Sequence, residues 1–255
     1  MEGEAYESVN RAFKSTCRIL LGGEVGGMQE FEGYLSRHLE AGGSAISAIS
    51  GKPVALSVPN FCKGARFISN DEREQYCGML KATPLSINDV KDIDSILSAL
   101  SEKLCYAGNI ITGNSHYVDG SDMVSNSSFI LNSSEIYDSK YVAYSDAMRY
   151  GEYVFGSNWI GETKFAIKTY ETFRVARSME SLSISNSSDC FYTARVNGCT
   201  NCMFSFNQKN RKQLIGNLEF PRDEYNKLKA KLIDEIRETM SAKKAVPTIV
   251  DIIKG

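Results

Sequence analysis

The chain has 255 residues, 42% of them apolar and 24% charged, with 20 Gly, 5 Pro, 7 Cys and 2 His. This is a globular composition, long enough for one large domain or two modest ones, and a net charge of −2 gives no pull toward nucleic acid or anionic lipid. No apolar run reaches the roughly 18–20 residues of a spanning helix, and the start Met1-Glu-Gly-Glu-Ala lacks the charge and apolar core of a signal peptide. The seven Cys are then expected to be mostly reduced thiols of a cytoplasmic protein.

Residues 1–110 read as a mainly helical domain. Tyr6, Val9, Phe13, Cys17 and Leu20 fall at helical spacing, as do Met28, Phe31, Leu35 and Leu39 after the glycine-rich break at 22–27. That break lacks a preceding strand and a terminal Lys-Ser/Thr, so it is read as a connection and not as a phosphate loop. Residues 52–58 suit a short strand and 70–80 a further helix. The clearest helix follows Pro84: Ser86 and Asp89 resemble a capping box, and Val90, Ile93, Leu97, Leu100 and Leu104 form an apolar stripe.

Residues 111–216 carry an internal repeat. Counting by six from Ser115 meets Ser121, Ser127, Ser133, Ser139, Ser145, Gly151, Ser157, Thr163 and Thr169, and the small or hydroxylated series continues to Cys199 with Val175 as its only break. Three residues after each lie mostly aliphatic or small residues: Val118, Val124, Ile130, Ile136, Val142 and their successors. A spacing of three fits neither a helix nor a simple strand. It fits a β-solenoid whose corners aim both series inward, although not the inward spacing of the hexapeptide solenoid of acyltransferases.

Larger residues set the coil length. Tyr117, Phe129, Tyr141, Tyr153 and Phe165 recur by twelve, as do Leu131, Ala143, Phe155, Ile167, Met179 and Phe191. A coil of about 12 residues keeps each ladder on one side, whereas the rival of eighteen scatters the aromatics over three. The result is about seven and a half turns with a lumen too thin for side chains larger than Val or Ile.

Residues 217–255 form a C-terminal amphipathic helix and apolar tail. Pro221 suits a first turn; Tyr225, Leu228, Leu232, Ile236 and Met240 share a face, and 245–253 is apolar enough to dock on a neighbour. The fold class is therefore mixed α and β: a narrow parallel β-solenoid capped by an N-terminal helical domain and a C-terminal amphipathic helix, the helices shielding strand edges that otherwise invite polymerisation.

The segments Ser187-Ser-Asp-Cys-Phe-Tyr, Gly198-Cys-Thr-Asn-Cys-Met-Phe, Asn207-Gln-Lys-Asn-Arg-Lys and Arg222-Asp-Glu-Tyr-Asn-Lys-Leu resemble a group of uncharacterised prokaryotic repeat proteins. In that group Ser/Cys-x-x-Ile/Val/Cys arrays run into an "RNK-x-Y" segment and a "KEEYEKL" helix. The resemblance covers roughly 115–235 and implies architecture, not an activity.

Chemistry has little to stand on. Cys199-x-x-Cys202 with Cys190 has the spacing of half a zinc site, but all three fall on inward phases, so lumen filler, metal ligation and a Cys190–Cys202 disulfide stand as alternatives, filler first. His38 and His116 have no nucleophile motif beside them, so no catalytic residue and no cofactor is assigned. The expected functional feature is an aromatic face of Phe129, Leu131, Tyr141, Tyr153, Phe155, Phe165 and Ile167, large enough to require a cover. That cover is the chain's own helices, a second copy or another protein. The sequence thus points to a non-enzymatic scaffold, a homo-oligomer or a subunit of a protein complex, binding neither nucleic acid nor membrane. The alternative is a metal- or ligand-binding protein or enzyme with its site in 1–110 and a solenoid used for oligomerisation.

Overall fold

The computed structural model describes residues 2–39, 42–58 and 60–254. Helix α1 (Glu2–Leu21) is followed by a 3-10 turn, Met28–Phe31, and a short α2 (Glu32–Leu35). A small β module comes next: β1 (Gly43–Ile46) and β2 (Pro53–Leu56) pair antiparallel, and β3 (Phe67–Ser69) pairs parallel with β4 (Tyr106–Gly108). Between β3 and β4 lie α3 (Arg73–Ala82) and α4 (Ile93–Ser101). The region taken from sequence as mainly helical thus contains four strands among its described residues.

The solenoid has about nine turns of about 12 residues. One side stacks β6 (His116–Asp119), β8 (Ser128–Leu131), β10 (Lys140–Ala143) and β12 (Glu152–Phe155). The other stacks β5 (Ile111–Thr112), β7 (Asp122–Ser125), β9 (Ser134–Tyr137), β11 (Asp146–Arg149) and β13 (Asn158–Gly161). Both stacks run into β14 (Lys164–Ala194), whose unbroken pairing winds through successive coils, then β15 (Thr200–Met203) and β16 (Lys212–Ile215). The register is twelve throughout, as in Ser128↔Lys140↔Glu152. A final strand, β17 (Leu218–Glu219), turns back antiparallel on β16.

The backbone explains the spacing of three. From Tyr117 onward every third residue through Gln213 has positive φ, Gly120, Gly156 and Gly198 included, for example Met123 (54°), Asn126 (49°), Phe129 (60°), Asn132 (45°) and Glu135 (54°). In a plain strand residues i and i+2 share a face; one left-handed residue per triplet turns the chain, so that i and i+3 both point inward. Such a residue costs on the order of 1 kcal/mol when it is not Gly or Asn. The cost is offset by stacking with its equivalents one coil away, and the Tyr117–Phe129–Tyr141–Tyr153–Phe165 rings lie 4.7–4.9 Å apart.

The lumen is filled as the repeat requires. Val124, Ile136, Met148 and Ile160 from one side and Ile130, Val142, Val154 and Ala166 from the other form one buried cluster. The serines work at the corners. Ser145 Oγ donates to the Ala143 carbonyl (3.0 Å) and accepts from the Ser157 amide of the next coil (3.2 Å). Ser133 and Ser139 do the same, with Gly151 N donating to Ser139 Oγ at 2.9 Å. Each hydroxyl thereby satisfies backbone groups that the corner takes out of the strand ladder.

Helix α5 (Arg222–Lys243) begins after Pro221 and buries Tyr225, Ile233, Ile236 and Met240. The apolar tail folds back on the chain itself: Val246 and Ile249 are buried, and α6 (Ile249–Lys254) packs on β14. Among the described residues no helix is long and apolar enough to cross a membrane.

Candidate functional site

Helix α1 lies along a long side of the rod and touches β6, β8, β10, β12 and β14 in turn. Its Ala5, Val9, Ala12, Phe13, Cys17 and Leu20 form one core with Leu131, Ala143, Phe155, Ile167, Met179 and Phe191. Phe13 meets Phe155 edge-on at 5.3 Å. Three residues of the expected aromatic face, Leu131, Phe155 and Ile167, are therefore buried inside the molecule. Phe129, Tyr141, Tyr153 and Phe165 are half-buried beside the helix. The cover is the chain's own helix, because the apolar ladder of the coil and the apolar stripe of α1 are complementary in length and direction, and Gly156 lets the α2 end approach: a Cβ there would sit 2.8 Å from the Leu35 carbonyl.

Cys190, Cys199 and Cys202 are free thiols fully buried in the lumen, in one apolar cluster with Val175, Ile184, Val196 and Leu214. Cys190 and Cys202 are register partners one coil apart, and burial raises both thiols, that of Cys202 to about 12. No group of three or more His, Cys, Asp or Glu placed to hold a metal occurs among the described residues. His38 has positive φ and sets Nε2 3.0 Å from Asp251 of α6; His116 is exposed in the first coil.

Two features escape the sequence reading. The first is a polar cluster on the corner ladder of Lys168 and Glu180. Lys168, fully buried, donates to the Leu35 carbonyl at 3.3 Å and to that of Arg37. Glu180 accepts from the Tyr34 hydroxyl and from the Ile249 amide (2.7 Å). Burial pushes the Lys168 ammonium down to about 8 and the Glu180 carboxyl up to about 7, against their mutual attraction. The cluster ties α2, the solenoid and α6 together.

The second is a cleft of about 440 Å³ beside that cluster, lined by His38, Leu39, Asn158, Trp159, Tyr170, Glu171, Leu182 and Val250. Spacing shows Asn158, Tyr170 and Leu182 as one ladder and Trp159 and Glu171 as the next, but nothing in the sequence brings residues 38–39 and 250 to them.

A third observation concerns α4. The capping box at Ser86 closes only the 3-10 turn Ile87–Asp89, and Asp92 becomes the true N-cap, accepting from Ser95 N at 2.8 Å. Of the expected stripe, Val90, Ile93, Leu97 and Leu104 are 52–71% exposed and Leu100 is half-buried; Ile87, outside the stripe, is exposed as well.

No family model, curated protein or solved structure matches the chain.

Proposed function

We propose that the protein is a non-enzymatic assembly component: a solenoid rod that associates with a second copy of the chain through the α4 stripe. One observation carries the reading. Ile93 and Leu97 on α4, with Ile87, Val90 and Leu104 on its flanks, stand in water, and soluble chains rarely leave a large apolar patch uncovered. The flanks of α4 carry both signs, Lys91 among Asp89, Asp92 and Asp94 at one end and Glu102 beside Lys103 at the other, so the apolar residues and not charge carry the contact. The aromatic ladder contributes less than its composition promises, since α1 already occupies it.

Sedimentation equilibrium of the full chain tests this. The wild type is expected to be dimeric at micromolar concentration, an Ile93→Lys/Leu97→Lys variant monomeric with unchanged circular dichroism, and a Tyr141→Lys/Tyr153→Lys variant still dimeric. A monomeric wild type, or an α4 variant of undiminished mass, overturns the proposal.

A further inference from the structure

The cleft beside Trp159 has the chemistry of a ligand site. Asn158 and Tyr170 are 8% and 6% exposed, yet Asn158 Oδ1 and the Tyr170 hydroxyl find no hydrogen-bond partner among the described residues. A buried polar atom left unpaired costs on the order of 1–3 kcal/mol, so two lining one cleft mark a place where an incoming group completes them. At the mouth the Trp159 indole is 66% exposed, on a strand whose register with its neighbours holds it in place. Glu171 follows it one coil on, its carboxylate accepting from the Ser183 hydroxyl. The volume falls within the range of roughly 300–1,000 Å³ usual for small-molecule sites.

The charges around the cleft argue against an ionic ligand. Asp251 holds Arg37 at 2.9 Å and His38 at 3.0 Å, and Lys168, 5.3 Å from the Tyr170 ring, faces Glu180 across the cluster behind. A cation meets Arg37 and Lys168; an anion meets Asp251, Glu171 and Glu180. What remains is a neutral molecule with one apolar face for the indole and several hydroxyl groups for the amide oxygen, the phenol and the carboxylate. A pyranose ring has that combination. Phe173, 44% exposed, lies on the same side of the rod one coil beyond Trp159, in register with Gly161, where a second ring of a chain can rest.

We infer that the cleft formed by Asn158, Trp159, Tyr170 and Glu171 with His38 binds a neutral sugar ring of an oligosaccharide, Trp159 stacking on its apolar face and Asn158 and Tyr170 completing its hydroxyls.

Trp159 is the single tryptophan of the chain, so its fluorescence reports directly on the site. The full-length protein is titrated with β-1,4-gluco-, β-1,4-N-acetylgluco-, β-1,4-manno- and α-1,4-gluco-oligosaccharides, in parallel with isothermal calorimetry. At least one series is expected to give a saturable response with agreeing Kd values. Tyr170→Phe, which keeps the ring and removes only the hydroxyl, is expected to weaken it about tenfold, and Trp159→Ala to abolish the calorimetric signal while circular dichroism stays unchanged. No saturable response up to about 10 mM of any series, or binding that both variants leave intact, overturns the assignment.

Discussion

The two long sides of the solenoid share one backbone, one register and one lumen, yet α1 runs along one of them and much of the other is open to solvent. On β8, β10 and β12 the last strand residues are Leu131, Ala143 and Phe155, followed on β14 by Ile167, and α1 seals them into a core, whereas β6 ends in the exposed Asp119. On the β7–β9–β11–β13 side the equivalent residues are Ser125, Tyr137, Arg149 and Gly161, then Phe173, with Arg149 lying 5.5 Å over the Tyr137 ring. The repeat therefore supplies the rod, and the outward ladder decides what each side does. An apolar ladder recruits a helix, and a mixed aromatic and polar ladder stays in water.

The difference can be broken hardest at Phe155. Phe155→Ala removes a ring buried against Phe13 and is expected to cost about 3–5 kcal/mol in urea unfolding. A loss below about 1 kcal/mol would mean that α1 is not held as described.

The Lys168–Glu180 cluster, where the covered side meets α2 and α6, predicts a pH effect. Glu180 titrates near 4.5 when unfolded and about 7 when folded, so the folded state holds more protons across that window. Stability is then fully present below 4.5 and falls as pH rises to about 7. Lys168, lowered from 10.5 to about 8, acts in the opposite sense in a separate window: stability falls as pH drops from 10.5 to about 8. Tyr34, Tyr170, Arg37 and Asp251 are the other groups facing the pair. Glu180→Gln is expected to flatten thermal stability between pH 4.5 and 7, a change on the order of 2 kcal/mol across the window. An unchanged slope would place the titrating group elsewhere.

Ser145→Ala sharpens the comparison because it touches the lumen common to both sides. It strips the Ser157 amide of its acceptor and is expected to cost about 1–3 kcal/mol, with faster amide exchange at Ser157. The smallest effect belongs to the side without α1: Tyr137→Ala should stay within about 0.5 kcal/mol of the wild type. A larger loss would show that side to be covered in solution.

Much of the architecture was legible in the residues. The hydroxyl column, the aliphatic column and the aromatic ladder at twelve define coil size and inward phase, because a narrow lumen accepts only small side chains at fixed intervals. The left-handed triplet was less visible. Asn and Gly take it at Asn126, Asn132, Gly156 and Gly198, but Phe129, Glu135 and Trp159 take it equally, so composition does not announce it. The capping box at Ser86 was read correctly as a cap and wrongly as the start of a long helix, since Asp92 offers a second N-cap six residues on.

By itself, then, the sequence determined the coil of twelve, the direction of the serines and the existence of an apolar outer ladder, all of them consequences of spacing along one dimension. Tertiary structure alone decided that α1 fills that ladder, that the α4 stripe faces water, and that His38, Trp159, Tyr170 and Val250 share a cleft. Those outcomes depend on where connections of irregular geometry deliver each element, and the periodicity of a ladder carries no information about what will come to lie on it.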